Sequence, residues 1–337
     1  MLFFSTLMSG TLISVSSGSW FGAWMGLEMN LLSFTPIMSN KTNQRSTEAA
    51  LKYFLIQVLG SIILLLGATI LSLSNFNFFF YSNHLPYIVI TSALLLKMGA
   101  APLHFWFPVV MEGLPWVTNI ILMTWQKIAP LVLISYYLNL FPLLLFTFVA
   151  FSALLGSIGG LNQTSLRKIM AYSSISHMSW MLASMSISEN LWFSYYLMYS
   201  MLSMTVAIVL LNMNIFHINQ IHNAWKTWPM NKMMLSLNLL SLGGLPPFLG
   251  FLPKFMVLQN MMYEVSVLVP IILMFSALIT LSFYLRIIFS ALMIFFSVQK
   301  YTMPKYQKKT MNKMSTSIIS TITIFSLPII PLIFWMT

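Results

Sequence analysis

The composition of this chain is that of a membrane protein: of its 337 residues, 58% are hydrophobic and only 6% are charged. A soluble domain carries roughly a quarter charged residues, so this chain lacks the charge to cover a water-facing surface. The net charge of +11 is better explained by loop cations near anionic lipid than by nucleic-acid binding. The absence of cysteine excludes disulfides, thiolate catalysis and cysteine-ligated clusters in this chain.

Long apolar runs predict an all-α polytopic protein with eleven transmembrane helices. A spanning helix needs roughly 20 apolar residues, and these runs lack the polar–apolar alternation of barrel strands. The first run lacks a basic flank, so we interpret it as a span and not as a cleaved signal. In chain order, the predicted spans are 2–18, 20–38, 50–73, 86–110, 116–138, 142–160, 166–187, 190–213, 233–262, 267–295 and 316–335.

The distribution of cations predicts the orientation of these spans. Of the 16 lysines and arginines, 12 lie in or beside the loops after spans 2, 6, 8 and 10, and none lies in a loop after an odd-numbered span. The positive-inside rule therefore places the N-terminus and the even-numbered loops on the inner side, and the C-terminus on the outer side. The twelve are Lys41, Arg45, Lys52, Arg167, Lys168, Lys226, Lys232, Lys300, Lys305, Lys308, Lys309 and Lys313.

Several ionisable residues remain inside the predicted spans. Glu28, Lys97 and Lys127 lie near the middle of spans 2, 4 and 5, and Lys254 lies in the outer part of span 9. Each costs roughly 2.5–3.5 kcal/mol at the bilayer centre, and such groups usually line an ion pathway. Static ion pairs explain them poorly, because one acid cannot neutralise three lysines. Arg286, in the inner half of span 10, can instead extend to the lipid headgroups.

These residues suggest proton transfer. Burial disfavours the charged form of a lysine and a nearby carboxylate favours it, so a Glu28–Lys97 pair would switch its proton affinity as it forms and separates. The sequence gives the depth of the two residues and leaves open whether they meet. His177 in span 7 is a candidate relay, with a hydrogen-bonded packing role as the open alternative. His104 is a weaker candidate relay. The histidines predicted to be solvated near loops are His84, His217 and His222.

Two predicted spans contain helix-breaking residues, each beside a lysine. Proline removes a backbone donor, and the freed groups must be satisfied by protein or water. Because the two spans lie five apart, an odd number, a five-helix repeat would insert its second copy upside down, as in many transporters. The breaking residues are Gly99 and Pro102 in span 4, and Gly243, Gly244, Pro246 and Pro247 in span 9.

This pattern divides the chain into three regions: a first repeat (1–138) with broken helix 86–110, a second repeat (139–295) with broken helix 233–262, and a loop and C-terminal helix (296–337). No phosphate loop, dinucleotide fingerprint or metal-ligand spacing is present. The sequence therefore predicts a path for charge whose energy comes from outside the chain.

Between about residues 20 and 290, the chain resembles the antiporter-like membrane subunits of mitochondrial NADH:ubiquinone oxidoreductase, respiratory complex I. The segments that carry the resemblance are GLEMNLLSFTPIM, EAALKYFLIQ, LLLKMGAAPLHFWFPVVMEGL, WQKIAPL, NQTSLRKIMAYSSISHMSWM and SLGGLPPFLGFLPKF. The resemblance implies two inverted five-helix bundles and proton translocation by Glu28, Lys97, Lys127 and Lys254. It implies that NADH oxidation and ubiquinone reduction in other subunits drive this translocation.

The resemblance also implies no cofactor in this chain, with FMN, iron–sulfur clusters, NADH and ubiquinone bound elsewhere in the complex. The implied partners are neighbouring antiporter-like, small and accessory subunits in the mitochondrial inner membrane. The even-numbered loops would face the matrix, and the loop at 302–315 would contact phospholipid including cardiolipin. Two alternatives remain open: a stand-alone cation/proton antiporter, and a structural membrane scaffold.

Overall fold

A computed structural model of the chain describes residues 2–40, 43–74, 85–137, 142–223, 229–264 and 267–292. These residues form helices and no strand, which confirms the predicted helical fold. The helices are α1 (Leu2–Ser16), α2 (Trp20–Met38), α3 (Gln44–Ser74), α4 (Leu85–Met98), α5 (Trp106–Gly113), α6 (Trp116–Met123), α7 (Trp125–Ser135), α8 (Pro142–Leu161), α9 (Leu166–Met185), α10 (Glu189–Met213), α11 (Ile218–Asn223), α12 (Pro229–Gly243), α13 (Phe251–Glu264) and α14 (Leu268–Leu292).

The helices follow the predicted spans closely. Among the described residues, five helical segments are long and apolar enough to cross a membrane, and two shorter helices, α1 and α4, are also apolar. The chain is therefore a polytopic helical membrane protein. Predicted span 316–335 lies outside the described residues, so the count of eleven stays a prediction. The five long segments are Gln44–Leu73, Trp116–Ser135, Pro142–Leu161, Glu189–Met213 and Leu268–Leu292.

Three local features differ from the sequence-based predictions. Helix α3 begins at Gln44, so Lys52 lies within a helix and not at a loop edge. Lys232, predicted in the loop after span 8, lies in the first turn of α12 and is buried. The short helix α11 was not predicted. Hydropathy marks only the apolar part of a helix, so polar turns that continue beyond it are missed.

The helix of predicted span 4 ends at Met98 and resumes at Trp106, and that of span 9 ends at Gly243 and resumes at Phe251. A glycine with positive φ follows the first half in each case: Gly99 at 74° and Gly244 at 80°. Residues other than glycine rarely adopt a positive φ, so glycine permits the sharp turn. Both spans are therefore pairs of half-helices.

A third interruption separates α6 from α7 at Thr124, where φ is −112° and ψ is −78°. The Thr124 hydroxyl donates to the carbonyl of Ile120 at 2.7 Å. The Tyr196 hydroxyl of α10 donates to the Thr124 carbonyl at 3.0 Å. The Thr124 carbonyl also accepts from the Lys127 N–H at 3.1 Å, so a side chain from a neighbouring helix and the chain itself both bind the interrupted backbone.

The buried apolar side chains form two separate clusters at different levels of the helix bundle. We call these the first core and the second core. The first core includes Phe34, Met111, Leu122, Ile169 and Leu210, among others, and lies towards the loops that follow α2 and α8. The second core includes Leu27, Leu94, Leu131, Met181 and Tyr195 and lies towards the opposite ends of the same helices.

Candidate functional site

The predicted site residues lie where the helices pass from one core to the other. On the α6–α7 segment, Lys127 lies between Met123 of the first core and Ala129 of the second. The same change of core occurs around Glu28, His177 and Lys254, and shortly after Lys97, where Met98 belongs to the second core and Ala101 to the first. With Lys127, these four residues form what we call the charged layer.

The members of the charged layer are withdrawn from the protein surface. Lys127 is 2% exposed, Lys97 6%, Lys254 7% and His177 7%, whereas Glu28 is only partly buried. An ionised group at this depth is costly unless protein or water solvates it. The contacts of each side chain therefore decide what it can do.

Lys97 and Lys127 line one cavity, although they belong to different helices. Its volume is about 20 Å³, which admits roughly one water molecule. The side-chain amide of Gln57 donates to the backbone carbonyl of Lys97 at 3.1 Å and fixes α3 against the end of α4. The cavity thus gives the two lysines a shared polar space.

The cavity wall contains a hydrogen-bonded network that the sequence analysis missed. Gln126 Nε2 donates to Asn30 Oδ1 at 2.9 Å, and the Tyr53 hydroxyl donates to Gln126 Oε1 at 3.5 Å. The network joins α2, α3 and α7 beside the lysines. Its sequence signal is modest: Asn30 and Gln126 are amides at mid-span, each close to a charged residue of the layer.

Glu28 and Lys97 interact electrostatically, but no nitrogen–oxygen distance between them is within 4.0 Å. The Glu28 Oε1 atom is buried and has no hydrogen-bond partner among the described residues. Glu28 and Lys97 are therefore close to each other but do not form an ion pair.

Lys127 reaches from α7 to the second half of the chain. Its Nζ donates to the Ser174 carbonyl of α9 at 3.4 Å. The same nitrogen lies 5.2 Å from the ring centroid of Phe107 and 5.3 Å from that of Tyr199. Aromatic faces attract a cation at these distances, so the ammonium is stabilised without a carboxylate.

His177 of α9 is packed inside the protein, and its role as a relay stays a prediction. Its Nδ1 lies 2.9 Å from the Tyr195 hydroxyl, so the ring is held by a hydrogen bond within the core. The ring also interacts electrostatically with Lys254 and Lys127. His177 is thus a packed histidine that lies between two lysines.

Lys254 caps the break in span 9. Its Nζ donates to the carbonyls of Leu242 at 3.1 Å and Gly243 at 3.0 Å, the last residues of α12. The end of a helix carries unsatisfied carbonyls and a partial negative charge, which the ammonium offsets. The nitrogen also lies 5.9 Å from the Trp180 ring centroid.

Two other predicted residues lie apart from the charged layer. His104, in the interruption between α4 and α5, is buried, with Nδ1 3.3 Å from the Pro102 carbonyl, and its ring stacks on Phe105. No contact in the described ranges joins it to a lysine of the layer. Arg286 is exposed on α14. His217 is in the described part of the chain, whereas His84 and the side chain of His222 lie outside it.

At one end of the bundle, α9 is attached to the junction between α5 and α6. Arg167 donates to the Leu114 carbonyl at 2.8 Å, and its guanidinium carbon lies 4.7 Å from the Phe216 ring centroid. Lys168 forms an ion pair with Glu112 at 2.8 Å. These contacts connect a broken helix of the first half with the helix that carries His177.

A helical membrane bundle with buried lysines beside broken helices is the architecture of ion-translocating subunits. The family described as "NADH:quinone oxidoreductase/Mrp antiporter, TM" matches residues 17–280. The chain belongs to this family.

Curated relatives at high identity carry the name NADH-ubiquinone oxidoreductase chain 2. The relative from Anopheles gambiae is 49% identical over 335 residues, which cover 99% of this chain and 97% of the relative. The relative from Aedes aegypti is 50% identical with the same coverage. The sequence motifs resemble the second subunit of the complex, and the 28 methionines are typical of an insect mitochondrial product. The mosquito relatives confirm this resemblance.

Solved structures share the fold. A chain of respiratory complex I from Thermus thermophilus matches with a TM-score of 0.78 at 21% identity, over 97% of this chain and 79% of that one. A chain of an archaeal membrane-bound sulfane sulfur reductase matches with a TM-score of 0.83 at 17% identity, over 99% and 73%. At these identities, the likeness concerns the fold alone.

Proposed function

We propose that this chain is a membrane-arm subunit of respiratory complex I, the proton-translocating NADH:ubiquinone reductase, and that it conducts protons through the charged layer. The relatives' name and the family support the first statement. The second rests on one observation: ionisable side chains occupy the level between two apolar cores. Charge is costly at that depth, so ionisable residues found there usually have a function.

The contacts within the layer favour exchange over a static structural role. Neither Lys97 nor Lys127 forms an ion pair in the described structure. Both border a cavity with room for about one water. A lysine held by carbonyls and aromatic faces can lose its proton without leaving a partner carboxylate unpaired. This supports proton transfer more than scaffolding.

The proposed route enters from the matrix side, loads Glu28, Lys97 and Lys127, and leaves outward near Lys254. His177 and, more peripherally, His104 serve as relays. The even-numbered loops face the matrix of the mitochondrion, as their cations indicate, and the protein lies in the inner membrane. This places the C-terminus in the intermembrane space, after an eleventh span.

We also propose the inverted repeats 1–138 and 139–295. Helix α1 packs on α2 as α8 packs on α9, and α3 packs on α4 as α10 packs on α12. These are matching pairs, spans 1–2 with 6–7 and spans 3–4 with 8–9. The glycines with positive φ, Gly99 and Gly244, lie at matching breaks.

FMN, the iron–sulfur clusters, NADH and ubiquinone would be held by other subunits, and their redox reactions would drive this one. The partners would be neighbouring membrane-arm subunits and phospholipid, with cardiolipin at the matrix loop 302–315. No group of three His, Cys, Asp or Glu side chains that could hold a metal occurs in the described ranges.

The test uses the intact complex in liposomes, with protons pumped per NADH oxidised as the readout. We expect Lys97→Met and Lys127→Met to lower this ratio, because methionine keeps the side-chain length but carries no proton. Lys52→Met, at an exposed lysine of α3, is the matched control and should leave it unchanged. Wild-type ratios for both buried-lysine variants, in fully assembled complexes, would refute proton conduction by these lysines.

The alternative function is that of a stand-alone cation/proton antiporter, because the family also includes Mrp antiporters. A chain of the Mrp complex from Dietzia matches with a TM-score of 0.73 at 16% identity, over 85% of this chain and 59% of that one. Native gel electrophoresis separates the two functions. Migration in a very large assembly supports the complex I subunit, and a small free species supports the antiporter.

A further inference from the structure

Tyr199 of α10 lies between two members of the charged layer. Its ring centroid is 5.3 Å from Lys127 Nζ and 5.1 Å from the ring centroid of His177. The side chain is 3% exposed and belongs to the second core. The same ring therefore touches the last lysine of the first half and the histidine of the second.

The hydroxyl of Tyr199 is unlike those of its neighbours on the same helix. The Tyr195 hydroxyl is bound to His177 Nδ1, and the Tyr196 hydroxyl donates to the Thr124 carbonyl. The Tyr199 hydroxyl is buried and has no well-formed hydrogen bond in the described structure. A buried hydroxyl costs free energy unless a neighbouring acceptor can take its proton.

Hydroxyl groups surround the Tyr199 oxygen. It lies near the side chains of Ser174 and Ser203. Both serines already donate to carbonyls of their own helices, at 2.7 and 3.1 Å, so they offer lone pairs to Tyr199. Ser174 also accepts from Lys127 through its backbone carbonyl. Tyr199 and Lys127 therefore meet at the same residue of α9.

We propose that the Tyr199 hydroxyl carries protons between Lys127 and His177 and so joins the two halves of the charged layer. This inference rests on the proposed proton-conducting function. The phenol oxygen accepts a proton from the Lys127 ammonium while its own O–H proton passes to His177 Nε2. The products are a neutral lysine, a neutral tyrosine and a protonated imidazole, and no electron is transferred.

The geometry of His177 suits this step. When Nδ1 donates to Tyr195, Nε2 is the free basic nitrogen, and the Tyr199 ring lies 5.1 Å from the imidazole ring, centroid to centroid. A tyrosine hydroxyl both donates and accepts, so it can pass a proton without carrying net charge through the apolar core. That property avoids the cost of placing another ion between the two lysines.

The test is Tyr199→Phe in the intact, liposome-reconstituted complex. Phenylalanine keeps the ring and its attraction for Lys127 but removes the hydroxyl. Proton transfer by a positioned group contributes roughly 100-fold or more, so we expect transfer through this chain to slow by about that factor. The readout is a lower ratio of protons pumped to NADH oxidised, with normal assembly. A wild-type ratio overturns the inference.

Two further variants make the result specific. Tyr137→Phe removes a hydroxyl that accepts from Trp20 Nε1 at 2.8 Å, just beyond the end of α7, and should pump as wild type. Tyr199→His returns a protonatable group and should restore pumping above the level of Tyr199→Phe. If Tyr199→Phe does not assemble, Tyr199→Met takes its place: a wild-type ratio in assembled Tyr199→Met complex overturns the inference, and a lowered ratio that Tyr199→His restores supports it.

Lys127→Met is measured in the same assay. If Lys127→Met lowers the ratio and Tyr199→Phe does not, only the tyrosine step is wrong. If neither variant lowers it, the conducting function fails as well. If both lower it and Tyr199→His restores it, the tyrosine carries the proton.

Discussion

The ammonium nitrogen of Lys254 lies 3.0 Å from the carbonyl oxygen of Gly243, so this lysine holds together the two half-helices of its broken span. The side chain comes from the first turn of α13 and binds the last turn of α12. Lys254 therefore combines a structural contact with its proposed place at the proton exit, and the two roles can be separated.

We predict that Lys254→Arg keeps the structure and loses the transport. Arginine donates to carbonyls but remains protonated in proteins, so it can cap α12 without releasing a proton. Assembly on native gels should be near wild type, while protons pumped per NADH should fall. Lys254→Met should impair both, because it leaves the carbonyls without their donor. Normal pumping by Lys254→Arg would contradict proton release at this residue.

We predict a difference between two glycines of the same break. A Cβ atom added at Gly250 would overlap the carbonyl oxygen of Ser241, whereas one added at Gly243 would meet no atom closer than 3.7 Å. Gly250→Ala should therefore disrupt the packing around α12 and reduce the amount of assembled complex severalfold, as a loss of roughly 1–3 kcal/mol implies. Gly243→Ala is the control and should assemble normally.

We predict that the amide network beside the lysines stabilises the fold. Gln126→Leu removes the bonds to Asn30 and Tyr53 and leaves a buried amide unpaired, at a cost of about 1–3 kcal/mol. The temperature at which the assembled complex is lost should fall. In the double variant with Asn30→Leu, the second substitution should cost less than it does alone, because the partner is already gone. Additive losses would show that the bond contributes nothing.

We predict unequal roles for two neighbouring cations of α9. Lys168 forms an exposed pair with Glu112, with side-chain exposures of 29% and 43%. Such pairs contribute about 0–1 kcal/mol and weaken in salt. Arg167→Met removes a carbonyl contact and an aromatic contact, so it should lower thermal stability more than Lys168→Met does. Equal effects, or a larger effect for Lys168→Met, would reverse this ranking.

The sequence predicted the helices well because apolar runs directly encode membrane spans. Ten predicted spans coincide with helices or pairs of half-helices. The interruption at Thr124 was missed for a physical reason: neither glycine nor proline marks it, and the contact from Tyr196 comes from a distant part of the chain.

The sequence also indicated the depth of the charged residues but not the direction in which each side chain points. Depth follows from position along a span, whereas contact requires the rotation of each helix about its axis. The approach of Lys127 to Ser174 depends on that rotation, and so does the gap between Glu28 and Lys97. Tyr199 could not be identified from the sequence, because an aromatic residue in an apolar helix usually contributes only to packing.

The small cavity between Lys97 and Lys127 also bears on energy conservation. A space of about 20 Å³ cannot contain an unbroken file of water molecules. In this conformation, the cavity alone does not provide a continuous water path between the two sides of the membrane. A wider, permanently hydrated channel would let protons flow back across the membrane without doing work. If protons pass through the charged layer as proposed, the tight packing around the lysines limits their backflow between turnovers.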